Sequence, residues 1–233
     1  MSEFSLQKDM IRMVALALGP DLCNTVAFVG GCTTGFFITD QFSLQQIRNT
    51  KDVDLIVNVI GHGEWYQLQE QLRGRGFREM DDHDAPICAM RLGELRVDFM
   101  PDNPEVLGFS NRWYKRALET AQSVRLDDAI AIRLVTPAYF IATKLEAYLG
   151  RGRNDPLESQ DVEDLLNIFD GRAEVVDELA DQDPELRAYI SLQLEKLLQH
   201  PAAGHAIEAA SQGDRGREEL MYERIEAVIE MGA

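Results

Sequence analysis

A change of hydrophobic pattern at Pro137 is the feature that most constrains how this chain can fold. Before Pro137, short β-branched or alternating segments predict strands, and residues 87–101 alternate about Gly93-Glu94, which predicts a hairpin. The other predicted strands are residues 25–31, 53–59, 123–126 and 130–136. After Pro137 helical spacing dominates, in segments separated by Gly, Pro or Asp clusters: 137–149, 159–169, 173–181, 185–199 and 215–231.

These patterns predict an α+β fold in two domains. Residues 1–136 are expected to form a mixed sheet flanked by helices, and residues 137–233 a helical domain. Two helices are predicted within the first domain. One covers residues 5–18, with Ser5 as its N-cap and Gly19-Pro20 as its stop, and the other covers residues 63–73.

Composition limits the function classes. The net charge of −17 disfavours extended, nonspecific binding of nucleic acid, because an acidic surface repels phosphates, although a local basic pocket for a nucleotide is compatible with it. Cys23, Cys32 and Cys88 lack CxxC spacing, which argues against a disulfide framework and a zinc ribbon and favours a reducing compartment. The N-terminus lacks a secretory-signal pattern and no apolar run is long enough to span a bilayer, so we expect a cytoplasmic protein without a membrane partner.

Three acidic residues lie on predicted strands. Asp52 and Asp54 alternate at the start of one strand, and on a strand such residues project to one face, about 6.5 to 7 Å apart. Two ionised carboxylates so close repel each other, and a divalent cation such as Mg²⁺ or Mn²⁺ removes the conflict. If the strand that carries Asp98 pairs beside the first, the three form a metal site suited to phosphoryl transfer, in which Asp98 can also take the proton of the attacking hydroxyl. The alternative is that Asp52 only caps a loop before the strand.

A glycine pair ends the first predicted strand. Gly30-Gly31 precedes Thr33, and glycine lets the backbone approach the phosphates of a nucleoside triphosphate closely. Neither a GxGxxG nor a Walker A pattern is present, which weakens a Rossmann or P-loop interpretation. A tight turn is the alternative interpretation of the pair.

Together these segments resemble the DNA polymerase β-type nucleotidyltransferase superfamily. Its pattern is a strand ending in Gly-Gly or Gly-Ser, an acidic DxD opening the next strand, and a third Asp on a later strand. The closer resemblance is to the branch of AbiEii-type and similar type IV toxin nucleotidyltransferases, whose Arg-x-Ser/Thr-x-Asp-x-Asp string is matched by RNTKDVD at residues 48–54. The resemblance implies a nucleotidyltransferase-like first domain that moves a nucleoside monophosphate from an NTP to a hydroxyl.

The resemblance extends into the helical half, over about residues 25–168. There it implies that Lys144 contacts phosphate, that Arg151 faces the same triphosphate two helical turns later, and that Asp161, with Asp164 after it, lies near the nucleotide or the acceptor. It also implies a tRNA 3′ end or a protein hydroxyl as acceptor, and an antitoxin as a protein partner. A small-molecule acceptor remains an open alternative.

One departure motivates a second hypothesis. Twenty residues lie between Gly31 and Asp52, more than in many superfamily members, so either the intervening helix and loop are extended or the glycines are not the phosphate cradle. With the acidic helices of residues 155–199, this supports a non-catalytic nucleotide-binding or protein-interaction module on the same fold. Asp127 and Asp128 are alternative acids, ranked below Asp98. We interpret residues 81–84 (DDHD) as a solvated turn, and Trp113-Tyr114 as part of an amphipathic helix.

Overall fold

The computed structural model describes residues 2–80, 85–152 and 154–232, so the DDHD segment lies outside the described residues. The fold is α+β, as predicted, with a mixed sheet, helices that flank it and a C-terminal helical region. The chain divides into two compact units: Met1–Thr33 with Asn49–Thr136, and Thr34–Arg48 with Pro137–Ala233. One division falls at the predicted position before Pro137, whereas residues 34–48, predicted within the first domain, belong to the second unit.

The first unit contains a seven-stranded sheet. Its strands are β1 (Val26–Val29), β2 (Asp52–Val57), β3 (Arg78–Glu79), β4 (Ala89–Leu92), β5 (Leu95–Pro101), β6 (Gln122–Arg125) and β7 (Ala131–Leu134). Their order in the sheet is β3-β4-β5-β2-β1-β7-β6. The β2–β5 and β1–β7 pairs are parallel and the other pairs antiparallel, so the sheet is mixed.

Strand β2 lies near the middle of the sheet. It pairs with β1 on one side, where Asp54 is level with Val29, and with β5 on the other, where Asp54 is level with Asp98. The predicted hairpin is confirmed: Leu92 pairs with Leu95 across a turn in which Gly93 has a φ of 61°, a conformation that glycine adopts without steric cost.

The helices are numbered along the whole chain. Those of the first unit are α1 (Glu3–Cys23), α3 (His62–Gly74), α4 (Pro104–Leu107) and α5 (Tyr114–Glu119). Those of the second unit are α2 (Gln41–Gln46), α6 (Pro137–Arg151), α7 (Gln160–Gly171), α8 (Val175–Ala180), α9 (Pro184–Leu198), α10 (Ala203–Ala210) and α11 (Arg215–Met231). A 3-10 helix, Gly31–Phe36, follows β1. In the described part of the chain, no helix combines the length and the apolar character needed to cross a bilayer.

Helix α1 differs from the prediction at its start. The N-cap is Ser2, whose side chain accepts a hydrogen bond from the backbone N–H of Ser5, so Ser5 lies inside the helix rather than capping it. At the other end the first helical segment stops at Gly19, as predicted, because the φ of 68° and ψ of 168° there are not helical. A second, short segment continues to Cys23. Pro20 opens the new turn, because a proline is compatible with the first position of a helical segment.

Contacts with α7 explain why residues 34–48 belong to the second unit. The backbone N–H groups of Thr39 and Asp40 both donate to the carbonyl of Gly171, at 2.8 and 3.0 Å. A Cβ at Gly171 would come within 2.7 Å of Ile38 and Ser43, so only glycine permits this approach. The ring of Phe37 packs against Phe140 of α6 with 4.7 Å between centroids.

Candidate metal centre

Two parallel strands bring the three predicted carboxylates together. Asp52 and Asp54 project from the same face of β2, and the register of β5 places Asp98 level with Asp54. One carboxylate oxygen from each residue lies within 4.8 Å of those of the other two. Asp98 is buried, while Asp52 and Asp54 are half-buried. The cluster is therefore anchored in the sheet and open on one side.

Neighbouring polar groups orient two of these carboxylates. Thr50 Oγ1 donates to Asp52 Oδ1. Arg96, two residues before Asp98 on the same face of β5, donates to both oxygens of Asp98, at 2.8 and 2.7 Å. Arg96 is not among the predicted site residues, although its alternation with Asp98 on a strand predicts that the two side chains are neighbours.

The cluster produces a negative potential around it. The hydrogen bond to Asp98 raises the pKa of Arg96, and the charges of Asp98, Asp52 and Asp54 raise it further, against the opposing effect of burial. Burial raises the pKa of the nearby Cys88 thiol to about 12, with Asp98 as the next cause. A cation is therefore stabilised at this point of the sheet, and Arg96 supplies one.

Gly30 makes room for the cluster. It ends β1 with a φ of 82°, and a Cβ built on it would lie 1.8 Å from Asp54 Oδ2. The predicted function of Gly30 was to cradle phosphate. Its observed contact is with Asp54, so any larger residue would displace that carboxylate.

The turn after Gly30 uses its own polar groups. Thr33 is fully buried, and both its backbone N–H and its hydroxyl donate to the carbonyl of Gly30, at 3.0 and 2.8 Å. In this arrangement Thr33 has no surface through which to touch a nucleotide. Gly31 begins the 3-10 helix that follows. The phosphate-binding role of this turn therefore stays a prediction.

The residues predicted in the helical half form a buried ion-pair cluster in the second unit. Lys144 Nζ lies 3.2 Å from Asp161 Oδ1 and 2.6 Å from Asp164 Oδ2. Arg151 donates to both oxygens of Asp161, at 2.8 Å each, and Arg48 donates to both oxygens of Asp164, at 3.0 and 2.9 Å. Helix α6 supplies Lys144 and Arg151, and one face of α7 supplies the two aspartates three residues apart.

Burial and charge act in opposite directions within this cluster. Burial alone would lower the pKa of Lys144, but the carboxylates of Asp164 and Asp161 outweigh it and the pKa is raised. Burial alone would raise the pKa of Asp161, but Arg151 and Lys144 outweigh it and the pKa is lowered. Both groups are therefore held in their charged forms, as a mutually compensating network requires.

The two predicted phosphate-binding cations differ in accessibility. The side chain of Lys144 is 5% exposed and that of Arg151 is 69% exposed. Because Lys144 points into the protein between two carboxylates, a direct phosphate contact would require those ion pairs to open. Arg151 can reach an anion from the surface without that cost.

The remaining candidates have other contacts. Asp127 accepts hydrogen bonds from Arg12 and from the backbone N–H groups of Ala129 and Ile130, as a turn residue does, and it is not part of the metal cluster. Asp128 is exposed on the same turn. Trp113 immediately precedes α5 and is buried, as expected for a helix that packs on the sheet.

No protein-family model matches this chain, and no curated protein matches it.

Proposed function

We propose that this chain is a metal-dependent nucleotidyltransferase that moves a nucleoside monophosphate from an NTP to a hydroxyl acceptor. The observation that carries the proposal is the convergence of Asp52, Asp54 and Asp98, whose oxygens lie within 4.8 Å of one another on two parallel strands. The resemblance of the surrounding segments to polymerase β-type nucleotidyltransferases points to the same reaction. The proposed setting is cytoplasmic.

The donor set fits a hard divalent cation such as Mg²⁺ or Mn²⁺. Carboxylate oxygens are the ligands that these ions prefer, and a site open on one side leaves positions for water and phosphate oxygens. The hydrogen atom of Gly30 in place of a Cβ permits Asp54 to take its position in the cluster. When bound, such an ion would neutralise charge that develops on the attacking and leaving oxygens.

In this proposal Asp98 takes the acceptor proton. The bond between the α-phosphorus and the bridging oxygen breaks, the acceptor oxygen bonds to the α-phosphorus, and pyrophosphate leaves. Arg96 holds the Asp98 carboxylate through both oxygens, yet an ionised carboxylate has about four lone-pair sites, so two remain for other partners. Arg96 thus orients Asp98 without occupying it fully.

Triphosphate binding is the second part of the proposal. Within the first unit we assign it to the backbone at Gly30-Gly31. In the second unit we propose separately that Arg151, whose side chain is largely exposed, can bind an anion. Lys144 and Asp161 are proposed to act within the ion-pair cluster that holds Arg151 in place. The proposed acceptor is an RNA 3′ end such as that of tRNA, a protein hydroxyl or a small molecule, and an antitoxin-like protein is a proposed partner.

The test is a thermal-unfolding shift with ATP, GTP, CTP and UTP, each with Mg²⁺ and with EDTA. Ligand at about a hundred times its dissociation constant stabilises a protein by about 2.7 kcal/mol, or roughly 5 to 10 °C in Tm for a chain of this size. We expect a Mg²⁺-dependent shift with at least one NTP, lost in the Asp52→Asn/Asp54→Asn double variant. The control is Asp128→Asn, the same chemical change at an exposed carboxylate outside the cluster. A nucleotide identified in this way is then used, labelled at its α-phosphate, to screen acceptors.

A second candidate function is favoured by the ion pairs themselves. Arg96 and Lys144 are both neutralised by aspartates of this chain, as in a nucleotide-binding or protein-interaction module that performs no transfer. Such a module would bind nucleotide equally well with Mg²⁺ and with EDTA, or would bind none and copurify with a protein. If the NTPs shift the Tm of wild type equally with Mg²⁺ and with EDTA, the result would therefore favour the module over the enzyme.

A further inference from the structure

Three arginines lie level with one another on neighbouring strands beside the metal centre. The antiparallel register makes Arg78 of β3 level with Arg91 of β4, and Arg91 level with Arg96 of β5. The parallel register of β5 with β2 makes Arg96 level with Asp52. Side chains that are level on paired strands project from one face of the sheet, so these arginines share the face of the three carboxylates. Arg78, Arg91 and Arg96 therefore form an arginine row that ends at the metal centre.

This arrangement is electrostatically unfavourable in the free protein. Like charges directly opposite each other on neighbouring strands destabilise a sheet. On this face β3 and β4 contribute Arg78, Ala89 and Arg91, so neither strand places a carboxylate beside the arginines. An anion bound along the row would offset the repulsion between them, which favours the binding of a ligand there.

The two ends of the row retain N–H donors. Arg78 is exposed, and its Nη1 donates to the backbone carbonyls of Arg73 and Phe77, at 2.8 and 2.7 Å, which carry no net charge. Arg96 donates to Asp98 through Nε and Nη2, which leaves Nη1, and its side chain is 37% exposed. A guanidinium has five N–H groups in a planar fork that matches the oxygens of a phosphate. Both residues can therefore contact a phosphate without giving up their present hydrogen bonds.

The length of the row decides which phosphate ligand it fits. Paired strands lie about 4.8 Å apart, so about 14 Å separate Asp52 from Arg78 at the edge of the sheet. A triphosphate that is bound at the carboxylates is shorter than this, whereas a nucleic-acid strand carries a phosphate at every nucleotide. The net charge of −17 makes most of the surface repel such a strand and limits its contacts to a local basic feature. The row therefore fits a short single-stranded segment.

We propose that the arginine row binds the backbone phosphates of a single-stranded nucleic acid and leads its 3′ hydroxyl to the carboxylates of Asp52, Asp54 and Asp98. The use of that hydroxyl as the acceptor rests on the proposed transferase function, but binding of the strand requires neither NTP nor metal. Phosphate contacts carry no sequence information, so strands of different sequence bind alike. Among the three acceptors proposed above, the row selects the RNA 3′ end over a protein hydroxyl or a small molecule.

The test measures binding of a fluorescein-labelled RNA hexanucleotide to the full chain by fluorescence anisotropy, in EDTA and without NTP. Because each phosphate contact contributes about −0.7 to the slope of log K against log salt, three contacts predict a slope of about −2. In Arg78→Gln/Arg91→Gln the slope should change to about −0.7, and binding at low salt should weaken about tenfold or more. Arg78→Gln alone, at the exposed edge of the sheet, should give a slope of about −1.4.

The matched control is Arg125→Gln. Arg125 lies on β6, the opposite edge of the same sheet, and its side chain is 70% exposed, so this variant should bind RNA as wild type does. Thermal unfolding of each variant checks that it is folded. If the double variant does not fold, Arg78→Gln at its exposed position still decides the question.

Three results would overturn the proposal. They are the absence of saturable RNA binding to wild type, a salt slope that is unchanged in the variants, and equally tight binding of hexaglutamate, which would indicate an acidic protein partner instead. The transferase function is tested separately by the NTP shift. A Mg²⁺-dependent NTP shift without RNA binding would contradict the row alone, whereas row-dependent RNA binding without any NTP shift would contradict the transferase alone.

Discussion

Replacing Gly30 by alanine tests the geometry of the metal centre most directly. The φ of 82° at Gly30 is unfavourable for alanine by about 1 to 2 kcal/mol. The new Cβ would lie 1.8 Å from Asp54 Oδ2, whereas ordinary contacts between such atoms are about 3.5 Å or longer. Asp54 must therefore move by roughly 1.5 Å, several times the tolerance of about 0.2 Å in metal–ligand distances.

Two consequences follow for Gly30→Ala. The backbone strain alone should lower Tm by roughly 2 to 8 °C. Displacement of Asp54 should weaken Mn²⁺ binding by about a hundredfold or more, because changes at groups that only orient metal ligands already weaken metal binding by about ten- to a hundredfold. Thermal unfolding measures the first effect, and the paramagnetic resonance signal of free Mn²⁺ measures the second.

The chain supplies a matched control in Gly93→Ala. Gly93 also has a positive φ, of 61°, but a Cβ on it would meet nothing within 4 Å. We expect Gly93→Ala to lose stability by a similar backbone penalty and to bind Mn²⁺ as wild type does. Wild-type Mn²⁺ affinity in Gly30→Ala would refute the conclusion that this glycine makes room for the Asp54 carboxylate.

Three further predictions concern the charged clusters. Asp164→Asn should lower the free energy of unfolding in urea by about 3 to 5 kcal/mol, because it leaves Lys144 buried with one ion pair fewer. The folded-state pKa of Asp161 is lowered, so its contribution to stability is present above its unfolded pKa and is lost as pH falls through the folded value. Between about pH 5 and pH 2, wild type should therefore lose more stability in urea than Asp161→Asn does. Arg96→Gln should weaken Mn²⁺ binding in calorimetry by about ten- to a hundredfold, because Arg96 orients Asp98 through both carboxylate oxygens.

Each of these predictions has an outcome that contradicts it. A loss below about 1 kcal/mol in Asp164→Asn would place that residue in an exposed pair rather than a buried network. If the free energy of unfolding depends on pH in the same way in wild type and in Asp161→Asn, then the pKa of Asp161 does not differ between the folded and unfolded states. Tighter Mn²⁺ binding in Arg96→Gln would mean that Arg96 mainly competes with the ion for Asp98.

The cluster of three carboxylates was predictable because its geometry follows from local rules of strand structure. Alternation on a strand places Asp52 and Asp54 on one face, and the only tertiary assumption was that the strand carrying Asp98 pairs beside theirs. The Gly93-Glu94 hairpin places β5 after β4, and parallel pairing of β5 with β2 then makes Asp98 level with Asp54. Given that strand pairing, residue types and spacing were sufficient to predict that the three carboxylates meet.

The position of residues 34–48 was not predictable in the same way. It depends on the carbonyl of Gly171, which is more than a hundred residues away in the sequence and accepts from Thr39 and Asp40. A glycine near the end of a helix is ordinary, and nothing local indicates that a second segment packs against it. The end of α1 illustrates the same limit on a smaller scale, because Ser2 and Ser5 are both suitable caps and only the hydrogen bond between them decides which one acts.

The direction in which Lys144 points was ambiguous for a related reason. The seven-residue spacing of Lys144 and Arg151 establishes that they share a helical face, but not whether that face meets solvent or protein. The aspartates of α7, three residues apart, pair with both cations, but only Lys144 is buried, since the side chain of Arg151 is 69% exposed. Replacing a buried ion pair by apolar residues often leaves the free energy of unfolding unchanged or increases it. The presence of this network therefore does not by itself indicate that it serves to stabilise the fold. Its effect here is to hold the largely exposed side chain of Arg151 at a defined place by two hydrogen bonds to Asp161, as the proposed anion-binding role requires.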